Sequence, residues 1–162
     1  DAETPQARSG KAMGAGAAKE ILPRGRVPAG KTRICVAGFT ISHHTHRARK
    51  LADHIVAANP TTYESWYHFD KGEVYRDLLK TVKSELPAEQ QEKFAAHKSS
   101  PFCWLELADG TRDAKGGRDR LCEWALAMFP EDKTVTALAS TPPSLTEAWV
   151  DETPGTASKD RE

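Results

Sequence analysis

Apolar residues are unevenly distributed along the chain, and their pattern divides it into three parts. Between residues 31 and 130, apolar side chains recur at the spacings of strands and helices, whereas residues 1–30 and 131–162 contain few large apolar side chains. Segments that bury little apolar surface do not offset the entropy they lose on ordering. The sequence therefore predicts a flexible N-terminal arm at 1–30, a domain at 31–130 and a C-terminal tail at 131–162.

Isolated apolar residues in the C-terminal tail leave two interpretations open. Leu145, Trp149 and Val150 stand among Thr, Ser, Pro and acidic residues. The tail either folds back on its own domain or docks onto a partner protein through these three residues.

The first half of the domain has the pattern of a strand followed by a helix. Residues 31–40 carry the apolar residues Ile34, Val36, Ala37 and Phe39 between basic residues and a polar turn, which is typical of a strand. Ser42 can cap the next helix, because its hydroxyl accepts from a free backbone N–H of the first turn. Asn59-Pro60 ends that helix. Its apolar face follows the i, i+3, i+4, i+7 spacing and consists of Ala48, Leu51, Ala52 and Ile55.

Two further strand-and-helix patterns follow. Residues 63–69 form an aromatic strand with one face predicted to look outward, either the Tyr63, Tyr67 and Phe69 face or the Trp66 and His68 face. Asp70 can cap a helix whose predicted inward residues are Val74, Leu78, Leu79 and Val82. Residues 88–98 extend it, 102–107 and 114–117 are strands, and 119–129 form a last helix with Leu121, Cys122, Trp124, Ala125 and Met128 inward. This order predicts an α/β domain with a mixed four-stranded sheet flanked by helices.

Charge and cysteine content exclude several classes of function. The 162 residues carry 23 basic and 23 acidic side chains, so there is no basic excess for general binding to nucleic acid or an anionic membrane. No apolar run reaches the ~18 residues of a transmembrane helix. Three widely spaced cysteines form neither a disulfide framework nor a zinc motif. They favour an intracellular, reducing compartment, either cytoplasmic and cytoskeletal or organellar.

Three motifs in order resemble the glutaredoxin branch of the thioredoxin-like fold over residues 31–129. Ser42-His43-His44-Thr45 stands at a strand-to-helix turn, where that family has Cys-Pro-x-Cys. Ser100-Pro101 resembles the family's Thr-Val-Pro loop, in which the proline is cis. Gly116-Gly117-Arg118-Asp119 resembles the Gly-Gly-x-Asp that opens the last helix. The resemblance implies a four-stranded thioredoxin-like sheet in which the strands at 34–39 and 102–107 are neighbours.

The departure from the family motif removes its chemistry. Ser42 replaces the nucleophilic cysteine, and Thr45 replaces the resolving cysteine. Disulfide exchange needs a thiolate, which a hydroxyl cannot supply. Ordinary glutaredoxin catalysis and iron–sulfur ligation at this position are therefore excluded, and we expect neither a catalytic residue nor a cofactor.

One candidate ligand site follows from the resemblance. The resemblance implies a groove at Ser100, Pro101, Gly117, Arg118 and Asp119 that could hold glutathione or a partner segment, although Arg120 replaces the family's second Asp.

His43, His44, His46 and His54 cluster in one helix, but their spacing lacks a ligand motif and we expect no metal. His46 and Arg47 are predicted to lie on a solvated helix face. Cys103 or Cys122 could carry a displaced redox role, although burial would make either thiol inert.

The sequence therefore predicts a catalytically inactive thioredoxin-like protein that acts as a structural or protein-binding subunit of a larger assembly. By analogy with redox-inactive members of the fold, that assembly is microtubule-associated or organellar. The alternative is a glutathione-binding protein or a thiol-redox protein that uses Cys103 or Cys122.

Overall fold

The computed structural model describes residues 20–149 of the chain, which form four strands and five α-helices. In chain order the elements are β1 (Thr32–Phe39), α1 (His43–Ala58), β2 (Tyr63–Asp70), α2 (Gly72–Ser84), α3 (Ala88–Lys93), β3 (Phe102–Leu107), β4 (Arg112–Gly116), α4 (Arg118–Met128) and α5 (Lys133–Ser140), followed by a 3₁₀ helix at Leu145–Trp149.

The four strands form one mixed sheet in the order β2-β1-β3-β4. β1 pairs in parallel with β2 and antiparallel with β3, and β3 pairs antiparallel with β4. The register places Val36 opposite Tyr67 on one side and Cys103 on the other. The predicted neighbours 34–39 and 102–107 are thus adjacent, and the architecture is compatible with the thioredoxin-like fold that the sequence resembles.

Helices cover both faces of this sheet. One face packs against α1, α4 and α5, and its core includes Leu51, Ile55 and Leu121. The other face packs against α2, where Leu79 and Val82 are buried. The predicted inward residues of α1 are all fully buried, because the i, i+3, i+4, i+7 stripe faces the sheet.

The prediction that one face of β2 looks outward is wrong. Tyr67 and Phe69 are buried beneath α1, and Trp66 and His68 are buried on the opposite face. A strand in parallel pairing is flanked by crossover helices, so both of its faces are covered even when its sequence is partly polar.

Helix boundaries and inward faces differ from the prediction in several places, and the extension predicted over 88–98 is helical only at Ala88–Lys93. Asp70 is the last residue of β2, and Lys71 occupies the cap position of α2. Tyr75 is buried in α2 where Val74 was predicted, and Met128 of α4 is 50% exposed. Asp70 instead accepts a hydrogen bond from the buried His68 ring and from the Lys71 backbone N–H.

Residues 133–149 fold back onto the domain. Val135 of α5 is fully buried in the core beside α1. Arg47 of α1 donates through Nε and Nη2 to the Glu147 carboxylate, at 3.1 and 2.8 Å. Its Nη1 donates to the carbonyl oxygens of Leu138 and Thr141. Residues 150–162 of the predicted tail lie outside the described residues.

Residues 20–30 of the predicted arm lie against the domain. Val27 is buried, and Arg24 forms ion pairs with Glu85 and Glu106. The Leu22 carbonyl accepts a hydrogen bond from Trp66 Nε1. The contacts are mainly polar, which is why an apolar pattern does not reveal them, and residues 1–19 lie outside the description.

Within residues 20–149, no helix is both long enough and apolar enough to cross a membrane.

Glu106 of β3 is a buried carboxylate at the centre of a charged cluster. Its Oε1 accepts from Arg33 Nη1 at 2.9 Å, and its Oε2 accepts from Arg24 Nε at 2.6 Å and from Trp104 Nε1 at 2.9 Å. Burial alone would raise the pKa of Glu106, but the Trp104 hydrogen bond and the charges of Arg24 and Arg112 hold it below its usual value.

We expect Glu106→Gln to lower the free energy of unfolding by about 3–5 kcal/mol, because it leaves buried guanidinium groups without their partner. The matched control is Glu123→Gln in the exposed Arg120–Glu123 pair, which should change stability by less than about 0.5 kcal/mol. Urea titration measures both variants, and equal losses would contradict the assignment.

The stability that Glu106→Gln loses should also depend on pH. Because folding depresses the pKa of Glu106, its stabilisation is present above the unfolded value of about 4.3 and disappears as pH falls through the folded value. The difference between wild type and Glu106→Gln should therefore be constant at neutral pH and narrow in acid.

Candidate functional site

The turn between β1 and α1 keeps its helix cap without any thiol. Ser42 has an extended backbone, and its Oγ accepts from the Thr45 backbone N–H at 3.2 Å. The helix begins at His43, as the sequence predicted for a Ser42 cap. The N-terminal end of α1 therefore points its free N–H groups and positive dipole at a serine hydroxyl.

A second hydroxyl contact joins this turn to the loop before β3. Thr45 Oγ1 lies 2.9 Å from Ser100 Oγ, and Ser100 Oγ accepts from the Phe39 backbone N–H at 2.8 Å. Gly38 makes the close approach possible, since a Cβ there would lie 2.5 Å from Thr45 Oγ1 and 2.7 Å from Ser100 Oγ. The two hydroxyls thus fix the distance between the turn and the loop.

The peptide bond between Ser100 and Pro101 is cis, as the family resemblance implied. A groove of ≈ 480 Å³ opens beside it. Ser100 and Pro101 form one side of the groove, and Gly117 and the first residues of α4 form the other. The structure therefore brings the predicted groove residues Ser100, Pro101, Gly117, Arg118 and Asp119 together in one place.

Arg118 is held in the groove by its neighbours. Its Nε donates to His44 Nδ1 at 2.9 Å, and its Nη2 lies 2.8 Å from Asp119 Oδ1. Burial lowers the pKa of His44, and the charges of His43 and Arg118 lower it further. A neutral His44 ring is the form that accepts from Arg118, so the geometry and the pKa direction agree.

The loop that presents Pro101 is tied to α2. Lys83 donates to the carbonyl oxygens of Ala95 and His97, and the Tyr75 hydroxyl donates to the Ser99 carbonyl. His97 lines the groove and donates to the Pro101 carbonyl at 3.3 Å. Burial lowers the pKa of His97, although its hydrogen bonds to the backbone oppose that shift.

Phe94 and His97 also line the groove, and sequence reasoning did not assign either residue to it. They lie before Ser100 along the chain, outside the three family motifs. The helical pattern at 88–98 identified Phe94 only as an anchor, and the ring does pack against Phe102. No local signal connects these two side chains with Gly117, because the cis-proline loop must fold back to bring them together.

The predicted solvated face for His46 and Arg47 is wrong. His46 is buried, donates through Nε2 to the Thr40 carbonyl at 2.6 Å, and packs edge-on against Phe69. Arg47 is buried beneath residues 138–147, which cover α1. His54 lies further along α1 and contacts Asp132, which caps α5. The histidines of this helix therefore point to different neighbours.

The histidines near the groove do not form a metal site in the described part of the chain. Among residues 20–149, no group of three or more His, Cys, Asp or Glu side chains has the arrangement of a metal site. His43 and His44 lie ring against ring, 4.2 Å apart. Arg118 already occupies the Nδ1 atom of His44.

All three cysteines are buried. Cys103 lies on β3, two residues after Pro101, with no exposed surface, and Cys122 lies on the inner face of α4. Burial raises the pKa of Cys103 far above its usual value, and the neighbouring Cys122 raises it further. Burial also raises the pKa values of Cys35 and Cys122. None of them has the exposed, low-pKa environment of a reactive thiol.

The predicted docking residues of the tail are only partly covered by the description. Leu145 is 74% exposed at the start of the 3₁₀ helix. Trp149 ends that helix, but its side chain is outside the description, as is the whole of Val150. The docking role of the three residues stays a prediction.

Comparison with protein-family models, with curated proteins and with solved structures found no match to this chain.

A cysteine introduced at the turn should have a lowered thiol pKa. We expect Ser42→Cys to have a thiol pKa well below about 8.5, because it would sit at the N-terminus of α1 where Ser42 now accepts from Thr45. The measurement is the rate of iodoacetamide alkylation as a function of pH.

The matched control is Ser84→Cys. Ser84 is exposed and is the last residue of a different helix, α2. The helix dipole there disfavours the thiolate, so its pKa should be ordinary or slightly raised. The buried native cysteines should contribute little to either rate. The same pH profile in both variants would contradict the assignment of Ser42 to the redox position.

Proposed function

We propose that this protein is a redox-inactive member of the glutaredoxin branch of the thioredoxin-like fold and acts as a binding or structural subunit of a larger assembly. The strand order β2-β1-β3-β4 and the cis bond before Pro101 support the assignment to this branch. Ser42 caps α1, and the resemblance in sequence aligns it with the nucleophilic cysteine of the branch.

The hydrogen bond between Thr45 and Ser100 carries the proposal. Thr45, which the resemblance aligns with the resolving cysteine, supplies a hydroxyl 2.9 Å from that of Ser100, and the contact joins the turn to the cis-proline loop. The groove beside them stays open at ≈ 480 Å³. A site that keeps its shape and has no thiol can bind a ligand but cannot exchange disulfides with it.

The charges of the groove favour a segment with an acidic group. Arg118 faces the groove with a side chain that is 14% exposed, and the N-terminal N–H groups of α4 lie beside it. The groove runs along the irregular segment that leads into β3, where free backbone groups can pair with an extended chain. The partner we propose is therefore an extended, acidic segment of another protein, in a cytoskeletal or organellar assembly.

Two observations bear on the alternatives. Gly117, Arg118 and Asp119 keep a glutathione-binding role open, although Arg120 departs from the family motif. A redox role for Cys103 or Cys122 requires solvent access, and both thiols are buried. The first alternative therefore keeps more support than the second.

The test of the proposal is a native pull-down from the source cell with three forms of the full chain: wild type, Arg118→Glu and Lys80→Glu. Both variants reverse one charge, but Lys80 is an exposed residue of α2 that does not line the groove. We expect wild type and Lys80→Glu to enter a stoichiometric complex of defined size. Arg118→Glu should lose it, because like charges would meet in the groove.

Three outcomes would contradict this proposal. The protein could be recovered as a monomer, the complex could survive Arg118→Glu, or a saturable calorimetric titration with glutathione could be abolished by Arg118→Glu alone. The last result would establish the glutathione alternative. Circular dichroism should verify that each variant keeps its fold.

We expect the native thiols to be slow in alkylation. At neutral pH Cys35, Cys103 and Cys122 should react with iodoacetamide far more slowly than free cysteine, because burial both shields them and raises their pKa values. Mass spectrometry of the intact protein measures the rate, with the urea-unfolded protein as the control. A fast-reacting Cys103 or Cys122 in the folded protein would support the redox alternative.

A further inference from the structure

The guanidinium of Arg24 lies between two tryptophan rings and two carboxylates, away from the groove. Its Cζ is 5.3 Å from the ring centre of Trp66 and 5.5 Å from that of Trp104. Its Nε donates to Glu106 at 2.6 Å, and its Nη2 donates to Glu85 at 2.5 Å. The side chain is 12% exposed, so it fills a nearly closed site.

The sheet builds the walls of this site. Cys35 of β1 pairs with Trp66 of β2 on one side and with Trp104 of β3 on the other, so the two rings share one face of the sheet with a small side chain between them. The rings are 6.1 Å apart and tilted by 55°. Strand register therefore places Trp66, Trp104 and Glu106 independently of Arg24, and Glu85 is placed by the C-terminal end of α2.

Glu85 and Glu106 have cationic or hydrogen-bonding partners other than Arg24. Glu106 also accepts from Arg33 and from Trp104 Nε1. Arg112 Nε lies 3.2 Å from Glu85 and 3.6 Å from Glu106. Removal of the Arg24 side chain would thus leave a preformed, charge-compensated recess rather than an isolated buried charge.

The recess matches the shape of a guanidinium. Two nitrogens of one planar group, Nε and Nη2, donate to two different carboxylates, while Cζ lies over the two tryptophan rings. An ammonium is a compact, strongly hydrated point charge that cannot make the same forked contacts. Cation–π attraction to tryptophan adds to the preference when the cation is desolvated.

We propose that Trp66, Trp104, Glu85 and Glu106 form a guanidinium-binding site, filled in this structure by Arg24 and able to bind another guanidinium group when Arg24 is absent. The ligand class is an alkylguanidinium such as an arginine side chain. Residues 20–30 are docked on the domain through this site, and a partner's arginine would be recognised by the same contacts.

Chemical rescue tests the proposal in the full chain. Arg24→Ala removes the side chain beyond Cβ, and N-ethylguanidinium has the shape of the part removed. Thermal unfolding and tryptophan fluorescence are followed as N-ethylguanidinium is added at constant ionic strength. Ethylammonium, with the same charge and alkyl group, is the control ligand. Arg26→Ala is the control variant, because Arg26 is an exposed arginine two residues away.

We expect Arg24→Ala to unfold at a lower temperature than wild type and to recover a few degrees, saturably, with millimolar N-ethylguanidinium. Ethylammonium should give no recovery, and Arg26→Ala should respond to neither ligand because Arg24 still fills its site. Arg24→Met, which fills the recess with an apolar chain, should also give no recovery.

A folded Arg24→Ala protein that responds equally to the two ligands, or to neither, overturns the proposal. If Arg24→Ala does not fold alone, its refolding yield in N-ethylguanidinium is compared with that in ethylammonium, and equal yields overturn the proposal as well. Recovery of Arg24→Met to the same extent as Arg24→Ala would place the ligand elsewhere and likewise overturn it.

Discussion

The hydroxyl of Ser100 joins three parts of the chain at one end of the central strand. It accepts from the backbone of β1 at Phe39 and contacts Thr45 of α1, while its own peptide bond leads into the cis-proline loop. Gly38 leaves the space that this arrangement needs. These hydroxyl contacts therefore tie the loop that lines the groove to β1 and α1, and they do not respond to redox conditions as a disulfide would.

Most of the secondary structure follows from local patterns. The stripe at Leu51 and Ile55 and the cap at Ser42 specify α1, because helix periodicity and capping depend only on near neighbours. The burial of both faces of β2 could not be predicted in that way. It depends on where the crossover helices pack, which is a property of the whole sheet.

The polar contacts of the terminal segments also could not be predicted from the sequence. Arg47 contacts Glu147, a hundred residues away, and Arg24 contacts Glu106 across a similar separation. Arginine has a long apolar stem and a charged head, so its position in a sequence does not show whether it lies in solvent or covers a core. The family motifs identified Pro101 and Gly117 as groove residues. The place of His97 in the groove could be seen only in the folded loop.

The two arginine-centred regions lie at opposite ends of β1. Arg33, which shares Glu106 with Arg24, is six residues from Phe39, whose backbone N–H donates to Ser100 at the groove. At a strand rise of about 3.3 Å per residue, the separation is roughly 20 Å. At this distance and an effective dielectric constant of about 20, two unit charges interact by only about 0.8 kcal/mol, so a charge change at one end has a small electrostatic effect at the other. A charge change at the Arg24 site should therefore have little effect on the groove, so the variants that test the two proposals report on separate regions.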